Sequence, residues 1–183
     1  MNRIEGLLKA YEAFVKQPWP RRLSGAERVW FAVYEPSQER RLLLRLQKFE
    51  TVTKRAGHGW LQVDVSGLFA EWMGNHRYRE AYFDDPKAMD LALQDVAQHV
   101  ADRVVAMLSA PDADENTVVV LSGVGSLFGL VRTSDVIKRV APAIRGRLLV
   151  FFPGHYEKAQ YRLFDARDGW DYLAVPIIAK NEE

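Results

Sequence analysis

The stretch SGVGSLFGLVR holds the residues best suited to binding chemistry. Ser122, Gly123, Gly125, Ser126 and Gly129 follow the apolar run 118–121, and Arg132 closes the stretch. Consecutive backbone N–H groups in such a turn can form a concave nest for an anion, and a nearby arginine adds charge. The pattern departs from the familiar phosphate loops. It has neither the lysine–hydroxyl pair of a P-loop nor the GxGxxG spacing of a dinucleotide fingerprint. Two readings follow: an anion- or nucleotide-binding turn, or glycines that let a strand turn tightly into a helix.

A second set of candidates comes from strand ends. In open α/β sheets ligands bind beyond the carboxyl ends of the strands. Here that rule selects Glu35, Asp64, His155 and Tyr156 as a crevice. His58, His76, His99 and His155 are the four histidines. None has a partner at a metal-ligand spacing, so no metal is expected. Ser122-Gly123 lacks the GxSxG pattern of a nucleophile elbow. The chain contains no cysteine, which removes disulfides, thiolate metal sites and cysteine nucleophiles. The expectation is a protein without a catalytic residue or a cofactor.

Basic and aromatic residues suggest contact with larger partners. Arg21, Arg22 and Arg28 form one basic group; Arg132, Lys138, Arg139, Arg145 and Arg147 form another that could track phosphates. Arg139, Arg145 and Arg147 also flank a predicted helix end, where the dipole and solvation favour cations. Trp19, Trp72, Tyr78, Arg79, Tyr82 and Trp170 fall at element ends or in loops. Aromatic and arginine side chains in such places are typical protein–protein anchors, although they can equally fill seams between helices and a sheet.

The elements that must position these residues alternate between strand and helix. Ile4, Leu7, Leu8, Tyr11, Phe14 and Val15 recur at helical spacing before Pro18 and Pro20. The run 29–34 reads as a buried strand. A helix opened by Pro36, with Ser37 as its cap, carries the stripe Leu42, Leu46, Phe49 and Val52. A strand over 60–65 and a short helix capped by Ser66 follow. Segment 76–83 fits either a helical turn or an ordered loop. Asp85-Pro86 starts a helix whose stripe runs from Met89 to Met107, about 35 Å at 1.5 Å per residue. Strand 118–121, helix 134–141 and strand 148–152 then form a βαβ unit closing at Pro153-Gly154. Short strands are expected at 161–164 and 172–175 with a turn at Asp168-Gly169. The fold class is α/β: a Rossmann-like three-layer sandwich with a mostly parallel central sheet and helices on both faces. Residues 1–183 are expected to form a single domain with a polar tail from about 179.

Composition agrees with that class. The 183 residues are 48% hydrophobic and 27% charged, with 25 basic and 24 acidic side chains. This balance argues against disorder and against a protein that coats polyanions. No apolar run reaches the roughly 20 residues of a membrane span. The charged amphipathic start does not read as a secretory signal. A soluble cytoplasmic protein is expected.

Several phrases taken together resemble the BrxB family of bacteriophage-exclusion (BREX) defence systems: GAERVWF from Gly25, GHGW from Gly57, YREAYF from Tyr78, the SGVGSLFGLVR turn, RGRLLVFFPGHYE from Arg145, and YRLFDARDGWDYLAVPI from Tyr161. The resemblance runs from Arg3 to Ile177. It implies a bacterial cytoplasmic protein encoded beside a methyltransferase, a large ATPase and a PglZ-type alkaline-phosphatase-fold protein. A PglZ-type partner, other BREX components and complexes acting on or near phage DNA are further implications. The family supplies no catalytic motif to transfer.

Overall fold

Three apolar runs, VWFAVY, TVVVLS and RLLVFF, are buried along their whole length and pair with one another, as strands of a sheet covered on both faces must. A computed structural model of the chain describes residues 3–164, 166–167 and 174–180. Its strands are β1 (Val29–Tyr34), β2 (Gly59–Asp64), β3 (Thr117–Ser122), β4 (Arg147–Glu157), β5 (Gln160–Leu163), β6 (Ala166–Arg167) and β7 (Val175–Ile178). The helices are α1 (Arg3–Val15), α2 (Glu39–Leu43), α3 (Leu46–Arg55), α4 (Leu68–Asn75), α5 (Arg79–Asp84), α6 (Leu93–Leu108) and α7 (Thr133–Val140). The central sheet has the order β2-β3-β4-β1-β7, and each of these pairings is parallel. β4 and β5 form an antiparallel hairpin to which β6 adds.

Strand alternation sorts side chains into two cores. Val29, Phe31 and Val33 of β1 join Val119, Leu121, Leu148, Val150 and Phe152, and they pack with Leu68 of α4, Val96, Val100 and Val104 of α6, and Val136, Ile137 and Val140 of α7. On the other face Trp30, Ala32 and Tyr34 join Val118, Val120, Leu149 and Phe151, covered by Ile4, Leu7 and Tyr11 of α1 and Phe49 and Val52 of α3. This is the expected three-layer α/β sandwich, with helices on both faces of a mostly parallel sheet.

Local departures from the sequence reading have identifiable causes. The single helix expected after Pro36 is three pieces: a 3-10 turn at Pro36–Gln38, then α2, then α3. Bonds of i to i−3 type at Arg45 and Lys48 reset the helical phase. Leu42 and Phe49 then face the same core while Leu43 and Leu44 stay exposed. Neither Ser37 nor Ser66 caps a helix; the cap positions are Gln38 and Gly67, without side-chain bonds. Asp85 does cap, accepting from the Lys87 amide at 3.2 Å, but it starts a 3-10 segment, Pro86–Ala92. The α-helix proper spans 16 residues, about 24 Å rather than 35 Å.

β4 does not close at Pro153-Gly154. It continues to Glu157 and bends out of the parallel sheet into the hairpin with β5. Gly154 makes the bend available, because a Cβ there would lie 1.8 Å from the Arg162 carbonyl oxygen. The strand expected at 172–175 shares only Val175 with β7, which runs on to Ile178; residues 172–173 lie outside the described residues. Asp168-Gly169 lies outside the described residues. No helix among the described residues is long and apolar enough to cross a membrane.

Candidate functional site

The chain leaves β1 towards α2 and α3 on one face, whereas β4 leads into a hairpin whose Tyr161 and Leu163 join the opposite core. β1 also leads to the β2 side of the sheet, and β4 to the β7 side. The carboxyl ends of these adjacent strands therefore form a topological switch point, where open α/β sheets leave a crevice. A cleft of about 430 Å³ lies there, lined by Tyr34, Glu35, Gly154, His155, Tyr156 and Glu157, with Arg3, Ile4 and Leu7 from α1 and Ile178 and Ala179 after β7. Three of the four crevice residues inferred from sequence, Glu35, His155 and Tyr156, thus meet in one cleft. Asp64 does not line it.

Of the ionisable groups lining this cleft, Glu35 and Tyr34 are engaged with neighbouring side chains. Arg3 donates to the Glu35 carboxylate. The Tyr34 hydroxyl donates to the Glu39 carboxylate. Burial, then the hydrogen bond to Glu39 and its charge, push the Tyr34 phenol well above its ordinary range. Tyr156 packs 4.7 Å from the Tyr161 ring, and the Tyr161 hydroxyl donates to the Ala174 carbonyl at 2.9 Å. The result is a small polar cleft with an exposed imidazole, His155, at its edge.

The glycine turn packs rather than cradles. Gly123 has φ +81°, and a Cβ on it would lie 2.6 Å from Asp64 Oδ1. That carboxylate also accepts from the Ser66 amide at 2.9 Å, so negative charge already sits against the turn. The Ser126 hydroxyl donates to the Gly123 carbonyl at 2.7 Å, and the buried Ser122 hydroxyl accepts from Gln62. Gly125 lies against the Phe164 ring and Pro153. Gly129 is left-handed with open space beside it. Arg132 is exposed immediately before α7, and no hydrogen bond or ion pair among the described residues joins its side chain to the turn.

The aromatic candidates separate into two places. Trp72 at the end of α4 lies 4.6 Å from His76, and His76 lies 5.9 Å from Tyr78 and 5.1 Å from Tyr82. Arg79 donates to the Gly74 carbonyl at 2.7 Å, closing the turn that carries this cluster. Segment 76–83 is thus a turn followed by α5. Behind it, Arg103 of α6 donates to Glu71 of α4 at 2.7 Å and holds the base in place. Sequence reasoning missed Phe83 and Leu91, which project beside the cluster's segment at 63% and 93% exposure. Leu91 falls in the 3-10 segment before α6, off the apolar stripe that runs from Met89 through Leu93. Trp19 lies elsewhere, near the amino ends of the strands. Trp170 is outside the described residues.

Of the basic residues 132–147, Arg132, Lys138, Arg139 and Arg145 are exposed and Arg147 is not. Arg139 donates to Gln94 and Gln98 of α6, Arg145 to the Ala110 carbonyl, and Arg147 is buried at the start of β4. Among the described residues no group of three or more His, Cys, Asp or Glu could hold a metal ion.

These features define a doubly wound parallel α/β domain with a switch-point cleft and a projecting aromatic segment. The profile of the family described as "BREX protein BrxB" matches residues 65–177. The chain belongs to the BrxB family of BREX proteins. A "BREX protein BrxB" from Bacillus cereus (strain H3081.97) is 31% identical over 87 residues, covering 46% of this chain and 41% of that relative. The match therefore spans well under half of the relative's length. No solved structure matches the chain.

Proposed function

We propose that this chain is a non-catalytic component of a BREX phage-defence system in the bacterial cytoplasm. In this reading it is an adaptor that binds another protein of the system, the PglZ-type alkaline-phosphatase-fold protein. The observation that carries the reading is segment 76–92. It holds Tyr78, Phe83 and Leu91 at 50%, 63% and 93% exposure, beside the Trp72–His76–Tyr82 cluster. Large apolar side chains held outward on an ordered support are what a partner pocket captures, and burying each stabilises a complex by roughly 1.5–3 kcal/mol. Arg77 over the Tyr78 ring at 4.5 Å adds a guanidinium of the kind enriched at such interfaces. Membership of the BrxB family supplies the setting, and the resemblance noted above supplies the partner.

The test is affinity capture of the PglZ-type protein from the same system on the tagged chain. Capture by the parent chain, lost in a Tyr78→Ser, Phe83→Ser, Leu91→Ser triple variant, is expected. A chain that retains none of that protein, or a triple variant that captures it undiminished, contradicts the reading.

A further inference from the structure

A second hollow opens at the amino ends of β1 and β4, on the rim of the sheet opposite the switch point. It measures about 540 Å³ and is lined by Trp19, Arg21, Arg28, His58, Asn116 and Arg147, a size that accommodates a ligand as large as a nucleotide. Arg21 and Arg28 come from the loop after α1, His58 from the turn before β2, Asn116 from the residue before β3, and Arg147 from the first position of β4. The basic groups separated by more than a hundred residues in sequence therefore meet here.

Arg147 is only 2% exposed. Its guanidinium lies 4.8 Å from the Trp19 ring centre and 5.8 Å from that of Trp30. It donates to the carbonyls of Gly146 at 2.9 Å and Pro20 at 2.8 Å. Arg28 likewise donates to backbone carbonyls alone, those of Leu23, Arg21 and Arg145. Among the described residues no carboxylate lies within ion-pair distance of Arg21, Arg28 or Arg147. The exposed Glu115 lines the same hollow but pairs with none of them. Burial, and then the neighbouring Arg28, push the Arg147 guanidinium down to about 10, so it remains a cation at neutral pH. A buried cation without a counter-charge is a costly arrangement that an anion would relieve.

The remaining polar groups also favour an acceptor. Trp19 Nε1 is buried and donates to nothing among the described residues. His58 stacks on Trp19 at 3.7 Å with the rings 5° from parallel. Its Nδ1 lies 2.6 Å from Asn116 Oδ1. Asn116 Nδ2 donates to the Gly57 carbonyl, which fixes the amide so that Oδ1 accepts and His58 Nδ1 carries the proton. His58 Nε2 has no protein partner among the described residues.

We infer that this hollow binds a small molecule through a phosphate group, with Arg147 at its floor and Arg28 and Arg21 supplying further positive charge. Three guanidinium forks against one exposed carboxylate match a doubly charged, multidentate acceptor better than a single carboxylate. A concave hollow with its arginine buried suits a terminal phosphate more than a nucleic-acid backbone running across a surface.

The test titrates the full chain with inorganic phosphate, AMP and a short single-stranded DNA oligonucleotide at constant ionic strength, following heat and tryptophan emission. Saturable binding of phosphate or AMP with a change in emission is expected. AMP binding tighter than phosphate would show that the organic part is read as well; equal affinities would assign the site to the phosphate alone. Arg21→Gln, at an exposed position whose side chain has no protein partner among the described residues, should weaken binding about tenfold, the loss of one charge-assisted hydrogen bond. Arg147→Lys, checked for native circular dichroism, should weaken it further by removing the fork. No saturation at millimolar phosphate and AMP, affinity unchanged by Arg21→Gln, or binding of the oligonucleotide alone would each overturn the inference.

Discussion

The His76 imidazole sits 4.6 Å from the centre of the Trp72 ring, joining the last turn of α4 to the projecting segment that follows. His76 Nδ1 also accepts the Tyr78 amide at 3.2 Å, so one ring fixes both the start of the turn and the aromatic seam beneath it. His76→Ala should loosen segment 76–92 at a local cost of about 1 kcal/mol. The expected readout is faster limited proteolysis within that segment, with the cleavage rate at α6 unchanged.

A buried hydrogen bond ties α1 to α3. Thr53 Oγ1 donates to the Phe49 carbonyl, so the 2.6 Å contact with Tyr11 has the tyrosine hydroxyl as donor. Tyr11→Phe removes a donor and leaves no orphan donor behind, costing about 1 kcal/mol. Thr53→Val strands the Tyr11 hydroxyl in the core and should cost more, about 1–3 kcal/mol. Urea unfolding of the two variants checks the order.

Alkaline pH should destabilise the fold. Burial raises the phenols of Tyr11, Tyr34 and Tyr161 above their ordinary value of 10.0, with the hydrogen bond and charge of Glu39 adding to the shift at Tyr34 and Tyr156 adding at Tyr161. The unfolded chain releases these protons near pH 10 while the folded chain keeps them. The tyrosine contribution is therefore complete below about pH 10 and is lost as pH rises above it. A urea midpoint that is level at neutral pH and falls from about pH 10 upward is expected, with a shallower fall in Tyr11→Phe.

The β4–β5 hairpin turns through Lys158 and Ala159, whose φ angles are +50° and +60°. Both central residues are left-handed, as a two-residue type I′ turn requires, although neither is the asparagine or glycine that adopts this conformation readily. Ala159→Gly should stabilise the protein by about 1 kcal/mol. Gly154→Ala should act in the opposite sense, by about 2 kcal/mol or more, because its Cβ has no room beside the Arg162 carbonyl. Paired thermal unfolding of the two variants tests both signs.

These turns mark where the sequence was legible and where it was not. Continuous apolar runs gave β1, β3 and the parallel half of β4, because burial on both faces leaves no polar alternation to confuse them. The switch-point cleft followed from strand ends alone, which is why Glu35, His155 and Tyr156 came together. The hairpin at Lys158-Ala159 carries no turn chemistry in its residue types, so nothing in the sequence marked it. Leu91 lies off the stripe of Met89, Leu93 and Val96, at a position helical spacing leaves to solvent, so no pattern marked it as a contact. Arg147 reads as a solvated cation beside a helix end. Its burial between Trp19 and Trp30 depends on strand pairing across more than a hundred residues, which no local pattern reveals.

The most direct test of the adaptor account is hydrogen exchange of the chain alone and mixed with the PglZ-type protein of its system. The account predicts new protection concentrated over residues 76–92, including the amides around Tyr78, Phe83 and Leu91. Unchanged exchange throughout, or protection that avoids this segment altogether, would contradict it.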